Sequence, residues 1–281
     1  MTSHDVVARV RRITGQRKVG HAGTLDPMAT GVLLLCLGRA TRVAEYLVAG
    51  SKRYRATIRF GIATDTYDAA GRVTAYNSSF DINLALIEQA LDPWQGVVQQ
   101  VPPLYSAIRQ GGRRLYQLAR RGEVVCPKSR TVEIKEINIV AWKAPLLVLE
   151  ILCSPGTYIR SLAHDLGQAL GMGAHLAELV RLSSGQWDIE TSIPLRQFET
   201  DVAERCWEQH LRPIDEALIH LYRIDLTPEL TAKVLQGQQI VAPGFVEHEL
   251  LRAYSPRGKM IAILRSGEEP DIWHPHKVFH Q

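Results

Sequence analysis

The chain has little cysteine and no stretch long enough to span a bilayer. Its four cysteines, Cys36, Cys126, Cys153 and Cys206, lie far apart and form no C-x-x-C pair. That spacing excludes a zinc ribbon and a disulfide framework, and leaves buried small hydrophobes as the reading. No apolar run approaches the roughly 20 residues of a membrane span. The start, Met1-Thr2-Ser3-His4-Asp5, lacks a charged-then-apolar leader pattern, so cytoplasmic residence is the expectation. Also missing are internal repeats, low-complexity tracts and a phosphate loop, because Lys18 precedes the glycines near it instead of following them. The acids of Thr64-Asp65-Thr66-Tyr67-Asp68 are not spaced as a calcium loop, which needs a closing glutamate in register. We therefore expect no metal.

What is present is ordinary globular composition, 46% hydrophobic and 22% charged over 281 residues, enough for a large domain and a small one. The charge is uneven. Residues 1–181 carry 23 Lys and Arg against 14 acids, whereas 182–281 carry 10 against 15. Within 101–130 the basic residues Arg109, Arg113, Arg114, Arg120, Arg121, Lys128 and Arg130 face one acid, Glu123, with Tyr105 and Tyr116 interleaved. Clustered arginine with aromatics suits a phosphate backbone and stacked bases, although a charge run alone also describes a solvated helix face.

The densest stretch is Lys18-Val19-Gly20-His21-Ala22-Gly23-Thr24-Leu25-Asp26-Pro27-Met28-Ala29-Thr30-Gly31. Glycines admit positive φ and close approach, and Pro27 keeps Asp26 out of the α region. The run 32–37 behind it reads as a buried strand. A loop that delivers one carboxylate beside a strand is a setting for function; the same spacing also describes an ordinary turn.

Thr2-Ser3-His4-Asp5 can cap a helix that carries Val6, Val7, Val10 and Ile13 at helical spacing, and a short helix is expected over 40–47. A strand over 52–60 follows, with Tyr54, Ala56, Ile58 and Phe60 alternating with Arg53, Arg55, Thr57 and Arg59. Helices are expected over 84–91, 113–121, 158–166 and 175–182. An extended piece is expected over 104–109 and an antiparallel pair over 131–142 and 146–153. Short helices near 200–210, 213–221 and 227–236 precede strands near 249–254, 259–265 and 272–279. Arg160 falls in a first helical turn, where a cation opposes the helix dipole, so a carboxylate partner from elsewhere is expected. His164 and Asp165 are expected at solvent or against a neighbouring helix.

Gly20-His21-Ala22-Gly23-Thr24-Leu25-Asp26-Pro27, followed by Ala29-Thr30-Gly31-Val32-Leu33, resembles the signature of the bacterial tRNA pseudouridine-55 synthases, the TruB family. Four further blocks agree in order: Lys52-Arg53-Tyr54-Arg55; Thr64-Asp65-Thr66-Tyr67-Asp68 with Gly71; Pro102-Pro103-Leu104-Tyr105-Ser106-Ala107; and Gly156-Thr157-Tyr158-Ile159-Arg160-Ser161-Leu162-Ala163-His164-Asp165-Leu166-Gly167. Gly173-Ala174-His175-Leu176 with Leu179, Arg181 and Leu182 completes the set. The resemblance covers about residues 2–190.

The resemblance implies an α+β fold: a mixed, mostly antiparallel sheet flanked by helices, with a small β-rich C-terminal appendage. The catalytic domain would be 1–236, with the basic 101–130 segment as an insertion, and 237–281 a PUA-like RNA-binding domain. It implies that Asp26 is catalytic, and that His21, Tyr54, Tyr158, Arg160 and Leu179 bind the substrate nucleotide. Lys18, Arg109, Arg113, Arg114, Arg120 and Arg121 would grip RNA. No cofactor or metal is implied, and the partner is the T-arm of tRNA, bound by a monomer. Family members carry a β-strand and a Lys-Pro-x-Gly segment just before Thr-Ser-His, and here Met1 stands where that segment should have ended. A rival expectation is therefore an RNA-binding, tRNA-folding protein without catalysis. A guide-RNA-dependent synthase shares the Asp loop but would carry long basic extensions. An Asp-dependent glycosidase would need a second carboxylate, such as Asp65 or Asp68.

Overall fold

The computed structural model describes all residues except 79–81, 122, 124, 246 and 280–281, and leaves the side chains of Arg109, Arg114 and Arg120 undescribed. The chain divides into two compact units. One is formed by Met1–Ala8, His21–Leu34 and Val48–Pro194, the other by Arg9–Gly20, Leu35–Leu47 and Leu195–Gln281.

The first unit is built on a seven-stranded sheet. Its strands are β1 (Thr30–Gly31), β2 (Lys52–Phe60), β3 (Gly96–Gln100), β4 (Arg130–Lys143), β5 (Leu146–Cys153), β6 (Ala174–Ser184) and β7 (Trp187–Asp188). They lie in the order β7-β6-β2-β5-β4-β3, all antiparallel, with β1 added parallel to β6. This is the mixed, mostly antiparallel sheet expected. The alternation in 52–60 sorts side chains as two faces of a pleat require. Ala56, Ile58 and Phe60 are fully buried with Leu147, Leu149 and Ile151 of β5. Helices α2 (Leu84–Leu91) and α3 (Ile159–Ala169) cover that face with Ile87, Leu91, Leu162 and Leu166. On the other face the arginines of β2 meet acids, Arg53 with Glu136 at 3.0 Å and Arg55 with Glu150 at 2.6 Å. That basic stripe is thus used across the sheet.

Helix α1 (Ser3–Thr14) starts at a capping box. Thr2 Oγ1 accepts from the Asp5 amide at 3.2 Å and Asp5 Oδ2 accepts from the Thr2 amide at 2.7 Å, satisfying two end donors reciprocally. Helix α2 is capped by Asn83, whose side chain accepts from the Leu86 amide.

Several expectations are corrected. The largest concerns 175–182, expected as a helix and found as strand β6, hydrogen-bonded between β2 and β7. Its register slips between Leu176 and Glu178 and again between Arg181 and Ser183, and those bulges break the alternation that marks a strand. The strand expected over 32–37 is only Leu35–Leu37. The helix over 40–47 is a 3-10 turn, Gly38–Val43, running into Ala44–Val48. The extended piece over 104–109 forms no strand before Arg109–Gln110, which pairs with Arg113–Arg114 and leads into a helix of only Leu115–Arg120. In the polar loop 61–71, Ile62–Thr64 pairs with Val73–Tyr76 as a small hairpin.

The second unit carries a five-stranded sheet of β8 (Tyr222–Asp225), β9 (Ile240–Val241), β10 (Leu250–Tyr254), β11 (Met260–Ser266) and β12 (Ile272–Val278), in the order β8-β10-β11-β12-β9. Trp273, Leu251, Ala262 and Leu264 form its core with Val234 of helix α4 (Pro228–Leu235). Residues 237–281 supply four of these strands; β8 and α4 come from upstream.

Candidate active site

The site grows from one arginine. Arg160 opens α3, and its residue is 5% exposed. Burying a guanidinium is expensive unless its donors are matched by charge and hydrogen bonds. They are matched. Nε donates to Asp26 Oδ2 and Nη2 to Asp26 Oδ1, both at 2.9 Å, a two-pronged pair. Nη1 reaches Asp68 Oδ2 at 3.4 Å and the Thr66 carbonyl at 3.3 Å, and Nη2 also reaches the Tyr105 carbonyl at 3.2 Å. The carboxylate partner required by its helical position is present, and there are two.

The two acids differ. Asp68 is as deep as the arginine and is held further on its own loop: Thr66 Oγ1 and the Ala70 amide donate to its Oδ1 at 2.6 and 3.0 Å, and Thr64 Oγ1 to its carbonyl at 2.7 Å. Asp26 keeps 29% of its side chain exposed. Asp68 therefore reads as the fixed anchor of the arginine, and Asp26 as the carboxylate held in one orientation yet reachable.

Two phenols adjoin this pair. Tyr54 sits near the start of β2, its backbone opposite Ile151 on one side and Arg181 on the other. Tyr158 immediately precedes α3; buried Gln100 takes its amide at 2.7 Å and donates to its carbonyl at 2.9 Å. Burial raises both phenol pKa values, with the charge of Asp26 adding to each rise. Leu179 lies in the same apolar cluster as Tyr54, Met28 and Ala29, two positions before Arg181 on β6. Burial lowers the pKa of His21, with His4 and Arg181 adding, and its Nδ1 is buried with no hydrogen-bond partner among the described residues.

The structure thus brings Asp26 and Arg160 into contact and puts Tyr54, Tyr158 and Leu179 in the same unit. Lys18 is exposed and belongs to the other unit. Arg113 and Arg121 are exposed, Arg113 only loosely paired to Glu123 at 3.9 Å. With Tyr116 and Gln117 they line a concavity of about 630 Å³. The side chains of Arg109, Arg114 and Arg120 lie outside the described residues. A slightly larger cleft of about 670 Å³, lined among others by Leu86, Trp94, Val97 and Leu170, contains none of the charged groups above.

Sequence reasoning misses the use of Asp68. Read alone, the loop 64–68 is a polar connection, and only its surplus of acid and hydroxyl groups hints at a bonded network. The expectation for His164 and Asp165 is also too loose: His164 stacks on Tyr67 with ring centroids 3.8 Å apart. Among the described residues one trio, Asp201, Glu204 and Cys206, has potential ligand atoms within 4.8 Å of one another. Asp201 there is already engaged by His210 and Gln197.

The TruB family pseudouridylate synthase N-terminal domain matches residues 11–159, and the tRNA pseudouridylate synthase B C-terminal domain matches residues 160–219. The chain belongs to the TruB family and is an isomerase of that class. It is 47% identical over 251 residues to "tRNA pseudouridine synthase B" of Gloeobacter violaceus, covering 88% of this chain and 84% of that one. It is 40% identical over 279 residues to the protein of the same name from Dehalococcoides mccartyi strain BAV1, covering 99% and 93%. Among solved structures, a chain of a Cbf5-Nop10-Gar1 complex superposes with a TM-score of 0.77 at 26% identity, covering 100% of this chain and 82% of that one.

Proposed function

We propose that the chain converts uridine-55 in the T-loop of tRNA to pseudouridine, with Asp26 as the catalytic group. The contact between Asp26 and Arg160 carries this reading: a carboxylate that is oriented and still reachable is what the first step needs. The N1–C1′ bond breaks, the uracil turns, C5 bonds to C1′, and the C5 proton is lost while N1 gains one. Every atom of the product comes from the substrate apart from exchangeable protons, so no redox or energy-supplying co-reactant enters the balance.

The target base must first leave its stack, at a cost of a few kcal/mol. The Tyr54 ring, Leu179 and the His21 loop offer a replacement surface, and Tyr158 closes the pocket beside Arg160. Asp26 acts as nucleophile or as base in forming a transient intermediate. Exposed Arg113 and Arg121, with Lys18, Arg109, Arg114 and Arg120, grip the phosphate backbone, a sequence-independent contact. We assign 237–281 a PUA-like RNA-binding role and 1–236 the catalytic one. The enzyme works in the cytoplasm as a monomer, with no resident metal or cofactor.

Tritium release from [5-³H]uridine-labelled tRNA tests the reading, with carbodiimide mapping of the modified position. The parent chain is expected to release tritium and to stop the map at position 55. Asp26→Asn should retain tRNA binding and lose release. Binding without release by the parent would favour the RNA-folding alternative instead.

A further inference from the structure

Arg181 is a second buried arginine among the described residues of the first unit, at 1% exposure, and its environment differs from that of Arg160. Among the described residues no carboxylate lies within ion-pair distance of it. Its guanidinium is spent on backbone carbonyls: Nε donates to Val32 at 2.7 Å, Nη1 to Thr24 at 3.3 Å and Nη2 to Gly23 at 3.2 Å. The carbonyls flank Asp26 along the chain, Gly23 and Thr24 before it and Val32 six residues after it. The backbone of Arg181 takes the far side of the Asp26 loop. Its carbonyl accepts from the Val32 amide at 2.9 Å, and β1 pairs there, Gly31 opposite Arg181. The approach is so close that a Cβ on Gly31 would lie 2.2 Å from the Arg181 carbonyl oxygen, at a φ of +97°. The backbone of Arg181 is also the register partner of Tyr54 across β6 and β2, and the charge of its guanidinium draws the Tyr54 phenol pKa down against the larger rise from burial.

A buried cation without a counter-ion costs several kcal/mol of desolvation, which carbonyl dipoles offset only in part. A core leucine or methionine would fill the same space without that cost. What the guanidinium adds is a rigid planar fork that binds the loop on both sides of Asp26, on a residue whose backbone is paired with Tyr54. We propose that Arg181 is a positioning residue for the isomerisation: it holds the Asp26 loop and Tyr54 in one fixed relation, so that the carboxylate and the base-stacking ring meet the flipped nucleotide in register. Arg160 orients the carboxylate itself; Arg181 orients the backbone that carries it. The inference rests on the isomerase reading above. Ser3 assists from α1, where its Oγ accepts from the Leu25 amide at 2.8 Å.

The test compares Arg181→Met, which keeps volume and removes the fork, with Arg181→Lys, which keeps the charge and loses the planar geometry. Single-turnover pseudouridine formation on tRNA is expected to fall about a hundredfold in Arg181→Met, the scale of a 1 Å misplacement of reacting groups. The tRNA Kd should stay within about threefold, and Arg181→Lys should recover part of the rate. Combined with Tyr54→Phe, Arg181→Lys should give a less than additive loss, because the two residues are neighbours in register on β6 and β2. Hydrogen exchange in the unliganded protein supplies a readout independent of activity: amides of 22–32 should exchange at least about tenfold faster in the variants while those of β2 and β5 do not. Unchanged loop exchange overturns the proposal, as does a loss that appears only in tRNA Kd, or acceleration spread evenly over the sheet. If Arg181→Met does not fold, Arg181→Lys alone decides by the same exchange measurement. A parent chain that makes no pseudouridine would sink the isomerase reading, while loop exchange would still decide whether the clamp exists.

Discussion

Arg160 on the one hand, and Arg113 and Arg121 on the other, are the same side chain in opposite surroundings. Arg160 is buried, bonded to two carboxylates and two carbonyls, and fixed at the start of a helix. Arg113 and Arg121 are exposed, and the ion pair of Arg113 with Glu123 is stretched to 3.9 Å. An exposed pair of that kind contributes little to stability, about 0–1 kcal/mol, and leaves the cation available to a phosphate. A buried, fully engaged arginine is unavailable to any ligand and instead sets the geometry of what it holds. The first region can therefore be broken only by losing fold and chemistry together, whereas the second should lose affinity alone.

The largest expected effect follows. Arg160→Met leaves the Asp68 carboxylate buried without its cation, a change that costs about 3–5 kcal/mol when one partner of a buried pair is removed. Urea unfolding should show that loss, and tritium release should fall at least about a thousandfold, as for a group whose removal disables the transition state. Retained stability with lost activity would mean that the network serves chemistry only. Next in size is Gly31→Ala. Its positive φ and its 2.2 Å clash with the Arg181 carbonyl should cost about 1–3 kcal/mol of backbone strain and slow the reaction without changing tRNA affinity. Normal turnover in this variant would show that the loop tolerates displacement, and would blur the distinction between the two regions.

How much of this is legible in the sequence depends on whether a feature is local. The Gly-rich loop, the alternation of β2 and the β4–β5 hairpin are local patterns, and the structure carries each of them. The need of Arg160 for an anion is legible from one fact, its place in a first helical turn. That Asp68 supplies part of it is not, since 92 residues separate the two. Strand β6 reads as a helix because His175 to Leu182 offers helix formers at helical spacing, while its two bulges hide the period of 2; pairing with β2 and β7 decides it against local preference. Arg181 lies in plain view as one more cation of a basic half, and nothing in its neighbours announces burial.

The second region is sharpened by Arg113→Ala combined with Arg121→Ala. Unfolding free energies from urea titration should stay within about 0.5 kcal/mol of the parent. The slope of log K against log salt should fall by about 2, one for each phosphate no longer neutralised, with the single-turnover rate at saturating tRNA unchanged. A lowered saturating rate would place the segment in the chemistry and dissolve the contrast.

The smallest effect lies within the first region, where one carboxylate is treated unlike the others. Asp165 sits three positions past Leu162 on α3, with no hydrogen bond or ion pair among the described residues, and burial pushes its pKa from the ordinary 3.8 up to about 6. A carboxyl whose pKa is higher in the folded state holds its proton more tightly there. Folding is then favoured relative to the unfolded chain at low pH, and that advantage is lost as pH rises from about 4 through 6. Above 6 the native protein carries an uncompensated, partly buried charge. Asp165→Asn removes the ionisation, so its melting temperature should exceed that of the parent by a few degrees at pH 7.5 and by clearly less at pH 5. A gain equal at both pH values would mean that the change acts through packing. A loss at pH 7.5 would mean that the carboxylate has a cation partner in solution, and that this part of the helix behaves like Arg160 and its acids.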